Sequence, residues 1–307
     1  LFPGQGSQYV GMGKDLCDAF SQVRRLYEEA EDALRFSLRK LSFEGPESDL
    51  RLTEVTQPAI LTHSVALVRV IFSESELRPQ LVVGHSLGEY SALVAAQVLP
   101  FSEAVTAVRE RGRAMQSASP PGRGAMAAFM GTDAKTITSL CDAVTRSFGS
   151  TDEFVVPANL NGGGQVVVSG TTAAVKKSVA EAPAHGIRLA KLLPVSAPFH
   201  CRLMQPAADR MKIVFQSLSF FSPQIPYIAN VDAKLYSSAD HVRECLVRQI
   251  PNPVLWEDSM NAVATSGIET AFEVGPGNVL TGLLRRMHRQ VAVKTVGTLQ
   301  ELKALLP

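Results

Sequence analysis

The sequence predicts an α/β fold built from both ends of the chain around a smaller inserted unit. Three observations carry the prediction. Short β-branched runs alternate with helix-like runs from Leu1 to about residue 118. The segment that follows reads β-α-β-β-α-β, the order of the ferredoxin-like split unit. The alternating style returns beyond residue 200. The boundaries drawn from this are 1–120 with 192–307 for the larger domain and 121–191 for the insertion. With 307 residues, 46% of them hydrophobic and 19% charged, the chain can bury a sizeable core.

Element by element, LFP ends a strand and residues 14–40 are rich in helix formers. QPAILTHSVALVRVIF, 57–72, reads as a buried helix opened by Pro58, whose missing N–H costs nothing at a first helical position. QLVVGHS is a short buried strand leading into a helix over 87–98. SEAVTAVRERGRAMQSA, 102–118, is another helix with Ser102 as its N-cap, and SPPGRG breaks the chain after it. Within the insertion, AMAAFMG (125–131) is a strand and 133–147 a helix. FVVPANLNGGGQVVVSG (154–170) is strand, glycine turn and strand, 171–185 a helix, and IRLAKLLPV (187–195) a strand. Residues 202–219 read as helix, IPYIANV and TAFEVG as strands, and VLTGLLRRMH as a helix.

A net charge of +1 gives no reason to expect a nucleic-acid partner. No apolar run reaches the length of a bilayer span, the longest being interrupted at Gly84, Glu89 and Gln97, so no membrane crossing is expected. Cys17, Cys141, Cys201 and Cys245 are scattered, with no metal or C-x-x-C spacing, and read as reduced thiols. No signal or transit pattern is visible ahead of LFPGQGSQ.

The chemistry concentrates in VVGHSLGEYSALVAA, 82–96. Gly84-His85-Ser86-Leu87-Gly88 fits G-x-S-x-G between a strand and a helix, the setting of a nucleophile elbow. A sharp turn there lifts the serine hydroxyl above the sheet. The amide of Leu87, at the helix N-terminus, can donate to a developing oxyanion. The bland alternative is a glycine-rich turn with an idle serine; agreement of pattern and context favours the nucleophile. Such a serine needs a base. His85 adjoins it, but neighbours in an elbow usually point apart. His63 sits in an apolar helix, His185 near a helix end and His288 in a basic helix. His200 closes VSAPFH in a proline-marked loop after a strand, where catalytic groups tend to sit. Position alone leaves that assignment open. Asp133, Asp142, Asp152 and Glu153 fall between Ser86 and His200, where a hydrolase triad acid belongs, yet none is marked as one. That weakens a plain hydrolase and leaves room for a dyad whose histidine is oriented by another group.

Other residues have bland readings when taken alone. Gly4-Gln5-Gly6-Ser7-Gln8 lacks the third glycine of a dinucleotide loop. Arg111 in VRERGR reads as a solvated helix face, Cys201 as a small buried hydrophobe, and Arg285 and Arg286, near Arg289, as a basic helix face.

FPGQGSQYVGMG, GHSLGEYSAL, RGRAMQ, APFH and FEVGPGNVLTGLLRR occur in this order along the chain. Together they resemble the malonyl-CoA:acyl carrier protein transacylase family over essentially the whole length, and within it the stand-alone mitochondrial enzyme of animals. The resemblance implies an α/β-hydrolase-like core domain carrying the ferredoxin-like subdomain. It implies Ser86 as nucleophile, His200 as base, and the backbone carbonyl of Gln249 as the group that orients His200. It implies an oxyanion hole from the amides of Gln5 and Leu87. Arg111 would hold the malonyl carboxylate, with Met115, Phe199, Gln57 and Asn161 around the same pocket. A guanidinium suits that task, because it pairs with a carboxylate through two parallel hydrogen bonds.

The implied reaction moves a malonyl group from malonyl-CoA to the phosphopantetheine thiol of an acyl carrier protein, for fatty acid synthesis. Malonyl-CoA is then a substrate, and no cofactor or metal is expected. Arg285 and Arg286 become candidates for docking an acidic carrier protein. A monomer is expected, in the mitochondrial matrix or alternatively in the cytoplasm. Two other readings stay open: a serine hydrolase such as a thioesterase on the same Ser86 and His200, and an idle scaffold that binds carrier protein.

Overall fold

The computed structural model describes residues 1–195 and 197–307; Ser196 of VSAPFH lies outside them. Among the described residues nine strands form, in chain order: β1 Val82–Val83, β2 Gly124–Met130, β3 Val155–Gly162, β4 Gln165–Thr171, β5 Leu189–Leu192, β6 Tyr227–Ile228, β7 Leu235–Tyr236, β8 Thr270–Val274 and β9 Ala292–Val296. β1 pairs in parallel with β6, β6 antiparallel with β7, and β8 in parallel with β9. The first two residues join these groups. The Leu1 amino group donates to Phe272 O at 2.7 Å, and Val274 N donates to Leu1 O at 2.8 Å. On the other side Phe2 N donates to Val83 O, and His85 N donates to Phe2 O, both at 2.9 Å.

Both faces of this sheet are covered. Val82 and Tyr227 belong to one apolar cluster, with the helices Thr53–Glu74, Gly88–Ala95 and Phe101–Ser117. Val83 and Ile228, the next residue in each strand, belong to another, with Trp256, Met260, Leu280 and Leu283. Side chains alternate across a strand, so consecutive apolar residues mean burial on both sides.

Residues 124–192 make a separate antiparallel sheet, ordered β3-β4-β2-β5. One face, with Ala127, Phe129, Val166 and Val168, packs on Ile137, Leu140, Val144 and Val175 of its two helices. The alternate residues Met126 and Val167 turn towards the larger core. Leu160 N donates to Val254 O at 3.0 Å and Val254 N to Ala158 O at 2.9 Å, which ties β3 to the rest of the chain.

Several expected elements differ. The helical stretch 14–40 is three helices, Lys14–Ala19, Ser21–Leu34 and Leu38–Glu44, broken at extended Phe20 and at Arg35 with φ +60°. A single helix there would run about 40 Å and could not return Leu16, Leu26, Leu34 and Leu38 to one core. The buried helix begins at Thr53, so Pro58 lies inside it. TEVT looks polar, but Thr53, Val55 and Thr56 are buried and extend the helix backwards. This helix, Thr53–Glu74, is long and apolar enough to cross a membrane, contrary to expectation, although it is mostly buried inside the protein. The helix expected over 102–118 starts at Phe101 with Pro100, not Ser102, at the N-cap. The run 202–219 is one α-helix, Gln205–Val214, flanked by two short 3-10 turns.

Candidate active site

Ser86 stands on the turn between β1 and the helix Gly88–Ala95, at φ +51°. A non-glycine residue there is strained and persists only where its surroundings hold it. Both flanking positions require glycine, because a Cβ on Gly84 would overlap the Gly88 backbone and one on Gly88 would overlap the Phe2 carbonyl. Asn230, just past β6, accepts from Ser86 N at 2.6 Å and donates from Nδ2 to Gly84 O at 2.7 Å. Gln249 Nε2 donates to Ser86 O at 3.0 Å. The strained peptide is thus held at both its N–H and its C=O.

Ser86 Oγ lies 2.8 Å from His200 Nε2. His200 Nδ1 lies 3.0 Å from Gln249 O. A carbonyl only accepts, so Nδ1 carries the proton and Nε2 is free to take one from the serine. No carboxylate is needed to set that tautomer. His200 is 3% exposed, and burial together with the nearby Arg111 charge lowers its pKa to about 3. The imidazole is therefore neutral at physiological pH.

Arg111 is not on a solvated face. It is 1% exposed, with Nη2 donating to Ser86 Oγ at 3.0 Å and to Gln249 Oε1 at 2.8 Å, and Nη1 to Gln57 Oε1 at 2.9 Å. These partners are all neutral, and Nε is buried with no partner among the described residues. A buried guanidinium so arranged is suited to an incoming carboxylate. Its neighbours in VRERGR point elsewhere: Arg113 pairs with Glu54 at 2.6 Å, and Arg109 lies over the Phe36 ring.

A cavity of about 240 Å³ opens on Ser86. Its wall contains Gln5, Leu87, Gln57, Arg111, Met115, Asn161, Phe199 and His200, so these predicted site residues are brought together. Gln249 lies behind the wall, buried. Gly4 packs tightly on the His85 carbonyl, which brings the Gln5 segment to the elbow. The backbone amides of Gln5 and Leu87 donate to nothing among the described residues. His85 also lines the cavity, but its Nε2 meets Asn161 Oδ1 at 2.8 Å rather than the serine. His63 is buried elsewhere, 2.8 Å from Gly297 O. Cys201 is buried, its Sγ donating to Pro198 O at 3.2 Å. Arg285 and Arg286 are exposed on the helix Val279–Met287, whose Val279, Leu280 and Leu283 reach the cavity wall while the two arginines do not. Among the described residues no group of three or more His, Cys, Asp or Glu is placed to hold a metal.

Sequence reasoning missed Asn230 and Glu89. Both had a readable signal: Asn230 follows a strand that neighbours β1, and ligands gather at the carboxyl ends of parallel strands. Glu89 is a carboxylate in an otherwise apolar helix.

Comparison with known proteins places this site in a class. Residues 1–303 match the acyl transferase domain family, and the chain belongs to it. Within that class it belongs with the malonyl CoA-acyl carrier protein transacylases: it is 44% identical over 305 residues to the enzyme of that name from Escherichia coli K12, covering 99% of this chain and 96% of the relative. A malonyl CoA-acyl carrier protein transacylase structure from Coxiella burnetii superposes with a TM-score of 0.95 at 40% identity, covering 99% of this chain and 95% of that one. A malonyl-transacylase in complex with a type II PKS acyl-carrier protein gives 0.95 at 42% identity, covering 99% and 97%.

Proposed function

We propose that this acyltransferase moves the malonyl group of malonyl-CoA onto the phosphopantetheine thiol of an acyl carrier protein, through a malonyl ester of Ser86. The observation that carries the reading is the meeting of two groups at one oxygen: Ser86 Oγ is within hydrogen-bond distance of both His200 Nε2 and Arg111 Nη2. Full-length similarity to named transacylases supports the substrate pair.

In the first half-reaction Ser86 passes its proton to His200 Nε2 while Oγ bonds to the thioester carbonyl carbon. The free amides of Gln5 and Leu87 face the oxyanion, and Arg111 holds the distal carboxylate. The C–S bond breaks, His200 returns the proton to the CoA sulfur, and the malonyl ester remains. In the second half the carrier thiol gives its proton to His200, its sulfur attacks the ester carbonyl, and the C–O bond breaks as Ser86 is reprotonated. Protons and bonds balance through these residues alone. Gln57 and Gln249 keep Arg111 aimed, and Met115, Phe199 and Asn161 shape the acyl pocket.

The strand order β3-β4-β2-β5 supports reading the insertion, 121–191, as the ferredoxin-like subdomain. The elbow at the end of a parallel strand supports an α/β-hydrolase-like core from 1–120 and 192–307. A monomer is the proposed assembly. The animal mitochondrial affiliation and a matrix location rest on sequence resemblance alone, since the curated relatives compared are bacterial. Fluorescence of the tagged full-length protein in animal cells separates matrix from cytoplasm.

Intact mass after brief incubation with malonyl-CoA tests the reaction, with acetyl-CoA and Ser86→Ala as controls, followed by carrier protein bearing its phosphopantetheine arm. A malonyl adduct on the wild type alone, discharged onto the carrier, is expected. Discharge to water at the same rate without carrier would make the protein a hydrolase. Absence of any adduct on folded protein would remove Ser86 as nucleophile.

A further inference from the structure

Glu89 has no part in the steps above, yet it lies directly beneath them. It is the second residue of the helix Gly88–Ala95 and is completely buried. Its Oε2 accepts from Asn230 N at 3.0 Å and from Gln249 Nε2 at 2.8 Å. Its Oε1 has no partner among the described residues. Asn230 and Gln249 are the two residues that grip the strained Ser86 peptide, one at its N–H and the other at its C=O. Gln249 also meets the guanidinium of Arg111 and, through its main-chain carbonyl, the ring of His200.

We propose that Glu89 is a positioning residue for the acyl site: one buried carboxylate oxygen gathers Asn230 and Gln249 around Ser86 and fixes which end of the Gln249 amide faces Arg111. The logic is one of donors and acceptors. Glu89 Oε2, when ionised, and Ser86 O can only accept, so both must face the Gln249 NH₂ group. Arg111 can only donate, so it must face Gln249 Oε1. The amide therefore has one allowed orientation, and the network extends from Glu89 through Gln249 to Arg111 in one sense. Arg111 is the predicted contact for the malonyl carboxylate, so the placement of Glu89 bears on the choice between malonyl and acetyl groups. This part rests on the transacylase reading; the grip on Ser86 does not.

Two variants separate position from charge. Glu89→Asp keeps the carboxylate but withdraws it by one methylene. Glu89→Gln keeps an acceptor oxygen at full reach and removes the charge. Single-turnover acylation of Ser86 is followed by intact mass with malonyl-CoA and with acetyl-CoA, on protein checked for folding by circular dichroism. Glu89→Asp is expected to slow acylation by both thioesters about tenfold or more, with malonyl affected more, so that the malonyl:acetyl ratio falls. Glu89→Gln is expected to stay within about threefold of wild type for both. Equal losses in the two variants would overturn the proposal, because an acceptor oxygen held at full reach would then not be enough to gather Asn230 and Gln249. So would wild-type rates in Glu89→Asp, or a loss that follows the folded fraction with the ratio unchanged. If Glu89→Asp does not fold, a tenfold or larger loss in Glu89→Gln still overturns it, and wild-type behaviour there supports it. Arg111→Gln is run alongside. If it retains the malonyl preference, the transacylase reading of Arg111 fails, and Glu89 is judged on acetyl-CoA acylation alone: slowed in Glu89→Asp and not in Glu89→Gln.

Discussion

Arg111 sets two properties of the site, and they pull in opposite directions. Its charge offers a partner to an incoming carboxylate. Burial first, and then the same charge, hold the His200 pKa down to about 3, which disfavours the imidazolium formed when Ser86 loses its proton. A carboxylate bound on Arg111 would offset that penalty, so the correct acyl group would improve its own base. Arg111→Gln tests this. Removing a neighbouring positive charge favours the protonated ring, so the His200 pKa should rise. Acylation by acetyl-CoA, which needs the neutral ring, should then show its acid inflection at a higher pH than in wild type. The preference for malonyl-CoA should fall by roughly 100-fold, the scale of a lost buried charge-assisted pair. Rapid-quench acylation, with brief pH jumps reaching from about pH 2 to 8, reads both effects; an inflection that stays put or moves down would contradict the electrostatic account.

At the scale of elements, the elbow depends on close backbone approach, and its glycines are not equivalent to others nearby. A methyl group on Gly84 would overlap the Gly88 backbone, so Gly84→Ala should cost at least about 3 kcal/mol and lower Tm by roughly 6 °C or more, if the protein folds at all. Gly282, on the helix whose Leu280 and Leu283 reach the cavity wall, is the contrast. A Cβ there meets only the Arg286 guanidinium tip at 3.8 Å. Gly282→Ala should leave Tm unchanged or raise it, since alanine favours helix by up to about 1 kcal/mol. Thermal melts of the two variants check the pair. The helix Phe101–Ser117 teaches the same lesson about faces. Arg109 and Arg113 share a side, four residues apart, while Arg111 lies halfway between them and points to the opposite side. That geometry is readable in the sequence; which side meets the serine is not.

For the whole molecule, acid stability follows from histidines buried in the neutral state. His63 is fully buried, and desolvation lowers its pKa to about 4 from 6.5. The unfolded chain takes up that proton below about pH 6.5, and the folded chain only near pH 4. Stability is therefore intact above 6.5 and lost as pH falls toward 4. Between pH 7.5 and 5, His63→Gln should lose about 2 kcal/mol less than wild type. Urea unfolding at the two pH values measures the difference, and parallel losses would mean that His63 is charged in the fold. Carrier docking also belongs to this scale. Arg285→Glu with Arg286→Glu should raise the KM for carrier protein by about tenfold or more, through lost charge steering and contact. An unchanged KM would place the docking surface elsewhere.

How much of this was legible in the sequence depends on the range of the interactions. The elbow was, because strand, glycine, serine, glycine and helix are local and periodic. The four-stranded antiparallel sheet was, because each of its strands announces itself within a few residues. Helix limits were less so: Pro58 usually opens a helix, but burial of Thr53, Val55 and Thr56 carried this one back past it. Asn230 and Glu89 gave only weak signals, since each acts on partners about 140 residues away. The sequence by itself thus determined an α/β chain, a serine on an elbow and a family. Only the tertiary structure decided that His200, Arg111 and the Ser86 hydroxyl share one hydrogen-bonded point, and that a glutamine carbonyl stands where an acid would be sought. Local backbone preferences are written residue by residue, whereas the meeting of distant side chains is settled only when the core closes around them.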